Sequence, residues 1–136
     1  MKHLKSFNEN TSFEWLNRQN NESYFELVDI LQSNLFDDFD VYPSTTETFD
    51  DDNYPDHKFW LYQVDGKLVA PKDLNGAISS IFVYNITPEE KDSFFESLRG
   101  LETIVEDITG KQLIIGEEAY YNDRLGDVYD FIIKLK

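Results

Sequence analysis

The sequence predicts an α+β domain, with a single mixed or mainly antiparallel sheet of about five or six strands and two main helices on one face. Apolar residues recur at helical spacing in two segments, 22–36 and 88–109. Elsewhere apolar and polar residues alternate with the period of a strand, most clearly over 128–135. Eleven Phe, eight Tyr and two Trp can form a core, and the 136 residues fit one domain, 1–136.

The first predicted helix covers residues 22–36. Ser23 and Glu26 have the spacing of a capping box, in which a hydroxyl and a carboxylate each satisfy a backbone amide of the first turn. Asp37 and Asp38 are expected to end the helix, because carboxylates at a helix C-terminus oppose the macrodipole. The apolar stripe of this helix consists of Tyr24, Leu27, Val28, Leu31 and Leu35.

Residues 37–57 are predicted to form an acidic loop or edge segment. No Lys or Arg occurs between Gln19 and His57. A structureless loop of such length is uncommon in a compact domain, so we expect an extended piece within residues 39–48. Pro43 lacks a backbone N–H, which confines that piece to a sheet edge or a bulge.

Three strands are expected in the middle of the chain. Phe59–Val64 and residues 67–70 flank Asp65 and Gly66. This pair is typical of the type I′ hairpin turn, in which both central residues have positive φ. Ile78–Ile86 has apolar residues on both faces, which favours a central position in the sheet.

The second predicted helix covers residues 88–109. Thr87 is expected to cap it, with Pro88 at the first helical position and Glu90 completing a capping box. Gly110 should end it in a left-handed conformation. Its apolar stripe consists of Phe94, Leu98, Leu101, Val105 and Ile108.

Two strands, 113–121 and 128–135, should complete the fold, joined by residues 122–127.

Gly100 lies inside the preceding helical pattern, where a residue without a side chain would permit close approach to the sheet. Residues 1–20 are expected to be an N-terminal arm with one short helix.

The strongly negative charge limits the classes of partner. The 27 Asp and Glu residues outnumber the 12 Lys and Arg residues, which gives a formal net charge of −15. This charge disfavours direct nucleic acid or membrane binding and favours a basic protein partner. No cysteine is present, so a disulfide, a thiol nucleophile and a thiolate metal site are excluded. The N-terminus lacks the apolar run of a signal peptide, so the expected location is the cytoplasm, or the host cytoplasm for a phage protein.

Neither a metal site nor a cofactor is predicted. Asp50, Asp51, Asp52, Asp56 and His57 offer ligands in a short span, but they lack the spacing of a calcium loop. We interpret this stretch as a solvated acidic loop. No Ser with a nucleophile-elbow pattern accompanies either histidine, so no catalytic residue is predicted.

Two pairs of carboxylates are candidates for a general acid and base, Glu117 with Glu118 and Asp127 with Asp130. With 27 acids in the chain, neighbouring pairs arise by chance, so this pattern alone does not predict an enzyme.

Four aromatic residues in the predicted strands resemble the stacking platform of a sheet that binds RNA. Such sheets surround their rings with Lys and Arg, which this chain does not. We therefore interpret the rings as core, and the residues concerned are Phe59, Trp60, Tyr62 and Tyr84.

The predicted partner-binding surface is acidic. Carboxylates that align like a row of phosphates can dock on a basic groove built for nucleic acid, with electrostatically steered association. The predicted binding residues are Asp37, Asp38, Asp40, Glu47, Asp50, Asp51, Asp52 and Asp56. Acids of the second predicted helix can extend this surface, namely Glu89, Glu90, Asp92, Glu96, Glu102, Glu106 and Asp107.

The chain opens with a short Lys-rich stretch, Met1-Lys2-His3-Leu4-Lys5-Ser6-Phe7-Asn8-Glu9. This opening resembles those of small tailed-phage accessory proteins. The resemblance implies a phage origin, and phage proteins of this size and charge include inhibitors of host defence and assembly factors. Bacterial immunity proteins that neutralise a basic toxin are similar in class. No motif of a named enzyme family follows, so no functional residue is transferred.

We therefore predict an acidic protein-binding inhibitor rather than an enzyme. It would be an anti-defence or immunity-type module that imitates nucleic acid charge and occludes a basic surface. The alternative is a structural or assembly component of a phage virion or larger complex. A small enzyme with an unrecognised acidic site is a further alternative, and a homodimer is also open.

Changing Asp50, Asp51 and Asp52 together to Asn tests the predicted acidic surface. We expect partner affinity to fall by a few kcal/mol at most, mainly through slower association, because a decoy acts through many weak charge contacts. Raising salt from about 50 to about 200 mM should weaken the wild-type complex by screening. Surface plasmon resonance at both salt concentrations measures these rates. A flat salt response with unchanged affinity would remove this loop from the interface.

Overall fold

The sheet is mixed and has six strands. The computed structural model describes residues 21–44 and 57–136. The strands are β1 (Tyr42–Pro43), β2 (Phe59–Val64), β3 (Lys67–Val69), β4 (Ile78–Ile86), β5 (Leu113–Asn122) and β6 (Gly126–Leu135). Their order is β1-β2-β4-β6-β5, with β3 also paired to β2. β1 runs parallel to β2, and the other pairings are antiparallel. The predicted α+β class is confirmed, as is the central position of β4.

The helical segments lie before β1 and between β4 and β5, apart from a short 3-10 turn between β3 and β4. They are α1 (Glu22–Leu31), a π-helical turn (Gln32–Phe36), α2 (Asp37–Phe39), a short 3-10 turn (Pro71–Asp73), α3 (Pro88–Gly100) and α4 (Glu102–Thr109). The N-terminal arm, residues 1–20, and residues 45–56 of the acidic segment lie outside the described residues.

The first helical region extends past the end predicted for it. The chain stays helical through Asp37 and Asp38 and leaves the helix only at Asp40, with φ 53°. Phe36 stacks on Trp60 at 6.1 Å, which anchors this last part to the sheet. A carboxylate opposed to the macrodipole costs about 0.3–1 kcal/mol. Burying aromatic rings outweighs that cost, so the prediction that the two acids end the helix was wrong.

The start of α1 is fixed by a long-range contact rather than by a capping box. The helix begins at Glu22, so Ser23 already lies inside its first turn and the predicted Ser23 cap was wrong. The side chain of the preceding residue, Asn21, donates to the Gly76 carbonyl at 2.8 Å and accepts from the Ile78 amide at 2.7 Å. Asn21 therefore ties the helix to the first residue of β4.

The start of α3 follows the local sequence signal. The Glu90 carboxylate accepts from the Thr87 hydroxyl at 2.7 Å and from the Thr87 amide at 3.4 Å, which confirms the predicted capping box. The other Glu90 oxygen lies 3.0 Å from Lys58 Nζ. This ion pair connects the helix start to the chain just before β2.

The second helical region is divided rather than continuous over 88–109. Leu101 has φ −94° and ψ −2° between α3 and α4. Gly100, which precedes the break, is exposed, and a Cβ there would meet nothing within 4 Å. The expected close approach to the sheet at Gly100 was therefore wrong. Gly110 ends α4 with φ 73°, as predicted.

Both hairpin turns use positive φ angles. Asp65 has φ 51° and Gly66 has φ 78°, which confirms the predicted turn between β2 and β3. Between β5 and β6 the Asn122 side chain accepts from the amides of Arg124 and Leu125 at 2.8 and 3.0 Å. Asn122 thereby orders this turn, and the strands it joins are longer than predicted.

The main hydrophobic cluster joins the helices to alternate residues of the sheet. The register places Trp60 opposite Val83 and Ile81 opposite Ile133, so these side chains share one face. Buried residues of the helices belong to the same cluster, including Leu27, Leu31, Phe94, Leu98 and Val105.

The opposite face of the sheet carries a smaller cluster built around a stacked aromatic pair. Phe59 and Tyr84 stack at 4.7 Å and pack with Leu61 and Ala70. Trp60 and Tyr62 lie in the main cluster instead, and the four rings are 0–5% exposed. The interpretation of this aromatic set as core is confirmed.

Replacing Phe94 tests how α3 is held. Phe94→Ala should lower the free energy of unfolding by about 3–5 kcal/mol, because it leaves a cavity between the rings of Phe39 and Phe131. The neighbouring Phe95 is only partly buried, so Phe95→Ala should cost about 1 kcal/mol. Urea denaturation of both variants measures the difference. Equal losses would contradict the assignment of the buried face of α3.

Candidate functional site: an acidic helical surface and a buried carboxyl

Three of the eight predicted binding residues fall in the described part of the chain. Asp37 and Asp38 are exposed on α2. Asp40, which follows α2 in a left-handed conformation, is also exposed. The other five, Glu47, Asp50, Asp51, Asp52 and Asp56, lie outside the described residues.

The acids of α2 lie beside a second acidic element, α3. The two helices meet where the ring of Phe39 contacts that of Phe94 edge-on at 5.1 Å. On α3, Glu89, Asp92 and Glu96 are all exposed. Their spacings of three and four residues put them on one face of the helix. We name these three residues the α3 acidic row.

No described cation pairs with the α3 acidic row. The ion pairs within residues 21–44 and 57–136 join Lys58 to Glu90, Lys91 to Glu117 at 3.4 Å and Arg99 to Glu102 at 3.3 Å. Residues 21–44 contain no Lys or Arg at all. Neither the acids of α2 nor the α3 acidic row therefore has an ion-pair partner within these residues, although α3 also carries Lys91 and Arg99.

Part of this acidity has a structural explanation. Glu89 lies in the first turn of α3, where a carboxylate is stabilised by the positive end of the helix macrodipole. Asp92 and Glu96 lie beyond that first turn, so this effect does not account for them. Their exposure and the absence of a described counter-charge fit a surface that binds a cation-rich partner.

Neither predicted acid–base pair comes together in the structure. Glu117 and Glu118 are successive residues of β5 and point to opposite faces of the sheet. Asp127 and Asp130 differ by three positions on β6, which also separates them onto opposite faces. The pairings were wrong because strand alternation, not sequence proximity, decides which side chains meet.

The register instead sets Glu118 directly opposite Asp130. Asp130 is only 9% exposed, whereas Glu118 is exposed. Directly opposite side chains on neighbouring strands have Cβ atoms about 5 Å apart, so the two carboxyl groups repel each other when both are charged. This pair was missed, although an Asp in the otherwise apolar series Val128, Asp130 and Ile132 is a readable signal.

A bulge in β4 accommodates the Asp130 carboxyl. The pairing of β4 with β6 shifts register between Val83 and Ile86, and Asn85 takes a positive φ of 67°. The backbone amide of Asn85 donates to Asp130 Oδ1 at 3.3 Å, and the side chain of Asn85 donates to the His57 carbonyl at 3.1 Å. Bulges re-aim side chains and interrupt pairing, and this one gives Asp130 a backbone donor.

The pKa of Asp130 is raised to about 6, mainly by burial. The hydrogen bond from the Asn85 backbone amide lowers this pKa, and the negative charge of Glu118 raises it. A carboxyl with this pKa exchanges its proton close to neutral pH. It is therefore the described group best placed to make stability depend on pH in the mildly acidic range.

A shallow cleft of about 340 Å³ lies near the turn of the β5–β6 hairpin. Lys91 stands beside it, 4.6 Å from the centre of the Tyr129 ring. The lining residues are Pro88, Ala119, Tyr120, Tyr121, Asp127, Val128 and Tyr129. Tyrosine rings and one carboxylate suit a cationic or aromatic side chain of a partner.

Metal ligands do not cluster in the described residues. Within 21–44 and 57–136, no three His, Asp or Glu side chains come together as ligands of an ion would. His57 lies instead beside aromatic rings, 6.1 Å from that of Tyr42 and 6.5 Å from that of Phe59. Over the same residues, no helix combines the length and apolar character needed to span a bilayer.

Comparisons with known proteins identify no relative of this chain. No family model, no curated protein and no solved structure matches the chain.

Replacing Asp130 should change how stability depends on pH. The folded-state pKa is raised, so the contribution of Asp130 to stability is complete below about pH 4 and is lost as pH rises through about 6. Asp130→Asn should therefore match the wild type near pH 4 and be more stable by about 1–2 kcal/mol above pH 7. Denaturant titrations across this range measure the difference.

Two further variants make this test specific. Asp127→Asn, an exposed change on the same strand, should leave the pH profile unaltered. Glu118→Gln should shift the wild-type transition to lower pH, because it removes one cause of the raised pKa. If Asp130→Asn and Asp127→Asn gave the same profile, Asp130 would not be the titrating group.

Proposed function

We propose that this chain is an acidic protein-binding inhibitor that occludes a basic surface built for nucleic acid. The observation that carries the proposal is the α3 acidic row, whose three carboxylates are exposed on one face of α3 and have no ion-pair partner among the described residues. In phage or bacterial biology, such a module would act as an anti-defence or immunity protein.

The linear arrangement of the α3 acidic row supports imitation of nucleic acid. From Glu89 to Glu96 the helix rises by about 10 Å, at about 1.5 Å per residue. Three carboxylates over that length leave two intervals, so neighbouring charges lie about 5 Å apart along the axis. One strand of duplex DNA carries about one charge per 3.4 Å of helix axis. The α3 acidic row is therefore less densely charged than one strand, but it presents carboxylates in a single line, as a strand presents phosphates.

Occlusion needs no chemistry at the surface. A row of like charges steers a basic partner into contact and then blocks its nucleic acid site for as long as the complex lasts. Removing water from a carboxylate costs free energy and opposes binding. Exposed carboxylates such as Asp92 and Glu96 therefore suit repeated weak contacts better than the buried carboxyl of Asp130 does.

Neutralising the α3 acidic row tests this proposal. The variant carries Glu89→Gln, Asp92→Asn and Glu96→Gln, and a bait of this variant should capture a basic host protein at least about tenfold more weakly than the wild type does. The matched control removes the same charge at three exposed sites elsewhere, through Asp65→Asn, Asp73→Asn and Asp123→Asn, and should bind almost normally.

Quantitative pull-down with mass spectrometry and competition by duplex DNA provide the readout. Duplex DNA should displace the captured partner from the wild-type bait, and salt should weaken capture. Equal losses in both variants would show that net charge alone matters. Capture that resists salt and DNA would favour the alternative, an assembly component held by apolar contacts.

A further inference from the structure

β5 presents a free strand edge among the described residues. It is the last strand of the sheet and pairs only with β6. Just before it, Gln112 and Lys136 exchange both backbone hydrogen bonds, at 2.9 and 3.0 Å. Hydrogen-bonded pairs alternate along an antiparallel ladder. The residues that direct their N–H and C=O groups outward are therefore Leu113, Ile115, Glu117, Ala119 and Tyr121.

The charges flanking this edge differ in sign from one end to the other. Lys111 precedes the strand, is exposed and makes no ion pair in the described part of the chain. Glu117 and Glu118 occupy the second half of the strand and are exposed. Edges that must stay single are guarded by charges that repel a second copy. Opposite signs at the two ends instead permit antiparallel self-pairing.

We propose that β5 pairs antiparallel with β5 of a second copy of this chain, about a two-fold axis at Ile114. In this register Leu113 lies opposite the second copy's Ile115, so outward-directed backbone groups face each other on both sides of the axis. Lys111 lies two residues before the strand, and the same register brings its side chain towards the second copy's Glu117. The symmetry makes that contact twice.

Exposed apolar side chains at the same end of the strand support this axis. Ile114 is 40% exposed and meets its own copy across the axis. Ile104 and Ile108 are 41% and 48% exposed and lie one turn apart on α4, the helix that leads into this edge. The first half of the edge therefore offers apolar contacts, and the second half offers the charge that meets Lys111.

Electrostatics disfavours registers whose axis lies further along the strand. An axis at Glu117 or Glu118 would set identical carboxylates against each other, which is destabilising for directly opposite residues. Lys91 already holds Glu117 at 3.4 Å, so its carboxylate has a fixed orientation and a second oxygen for Lys111. The net charge of −15 repels the two copies at long range, but screening at physiological salt acts beyond about 8 Å.

The opposite side of the sheet does not extend the assembly. There β2 pairs with β1, of two residues including Pro43, and with the three residues of β3. Within the part of the chain that the structure describes, such short strands and a proline provide no second long edge. Pairing through β5 therefore closes as a dimer rather than growing into a filament.

A charge-swap experiment tests the dimer and its register. Sedimentation equilibrium at physiological salt should show concentration-dependent dimerisation of the wild type. Lys111→Glu and Glu117→Lys should each weaken it at least about tenfold, because each replaces two attractive contacts by repulsive ones. Mixing the two variants should restore dimers, since every contact in the mixed pair again joins Lys to Glu.

Rescue by mixing separates the interface from folding, because each chain keeps its single change. Ile114→Lys supplies an independent variant, and it should abolish dimerisation while leaving the circular dichroism spectrum unchanged. A wild type that stays monomeric at all concentrations, or single variants that dimerise as well as the wild type, would overturn the proposal. The neutralised α3 acidic row should leave dimerisation intact, which keeps this test independent of the proposed function.

Discussion

The contact of Phe94 with Phe131 is the interaction on which the arrangement of the surface depends. The two rings lie 4.8 Å apart and attach α3 to β6, and Phe39 contacts Phe94 from α2 at 5.1 Å. Phe94 is fully buried. The Phe94 ring thus positions both helices that carry exposed acids. The distance between α2 and α3 is set by what each of them packs against in the core. The acidic surface is in this sense a product of aromatic packing.

Local signals in the sequence were sufficient where the partners are close in the chain. Thr87 and Glu90 are three residues apart, and Asp65 and Gly66 are adjacent, so backbone geometry alone decides their structure. The order of the strands was less accessible, because pairing depends on which faces can be buried together. The mixed sheet could be predicted as a class, but its parallel β1–β2 pair could not be derived from alternation.

The features that sequence analysis missed depend on residues far apart in the chain. Asn21 looks like an ordinary residue before a helix, yet its partner Ile78 is 57 positions away. Asp130 interrupts an apolar series in its strand, but the bulge at Asn85 that gives it a hydrogen-bond donor lies 45 positions earlier. Three residues of the predicted acidic surface are exposed, and helical spacing places three more exposed acids on one face of α3.

The π-helical turn at Gln32–Phe36 has a consequence for how this protein can change in length. A π-turn holds one residue more than the α-helical turn it replaces, so it behaves as an insertion absorbed within a helix. Deleting one residue there would convert the π-turn into an α-helical turn and leave the residues beyond it close to their present orientation. Phe39 would stay in contact with the core, and Asp37 and Asp38 would stay exposed. A deletion in the regular α-helical part would instead rotate everything beyond it by about 100°. Related chains can therefore lose a residue within this turn more easily than elsewhere in the helix.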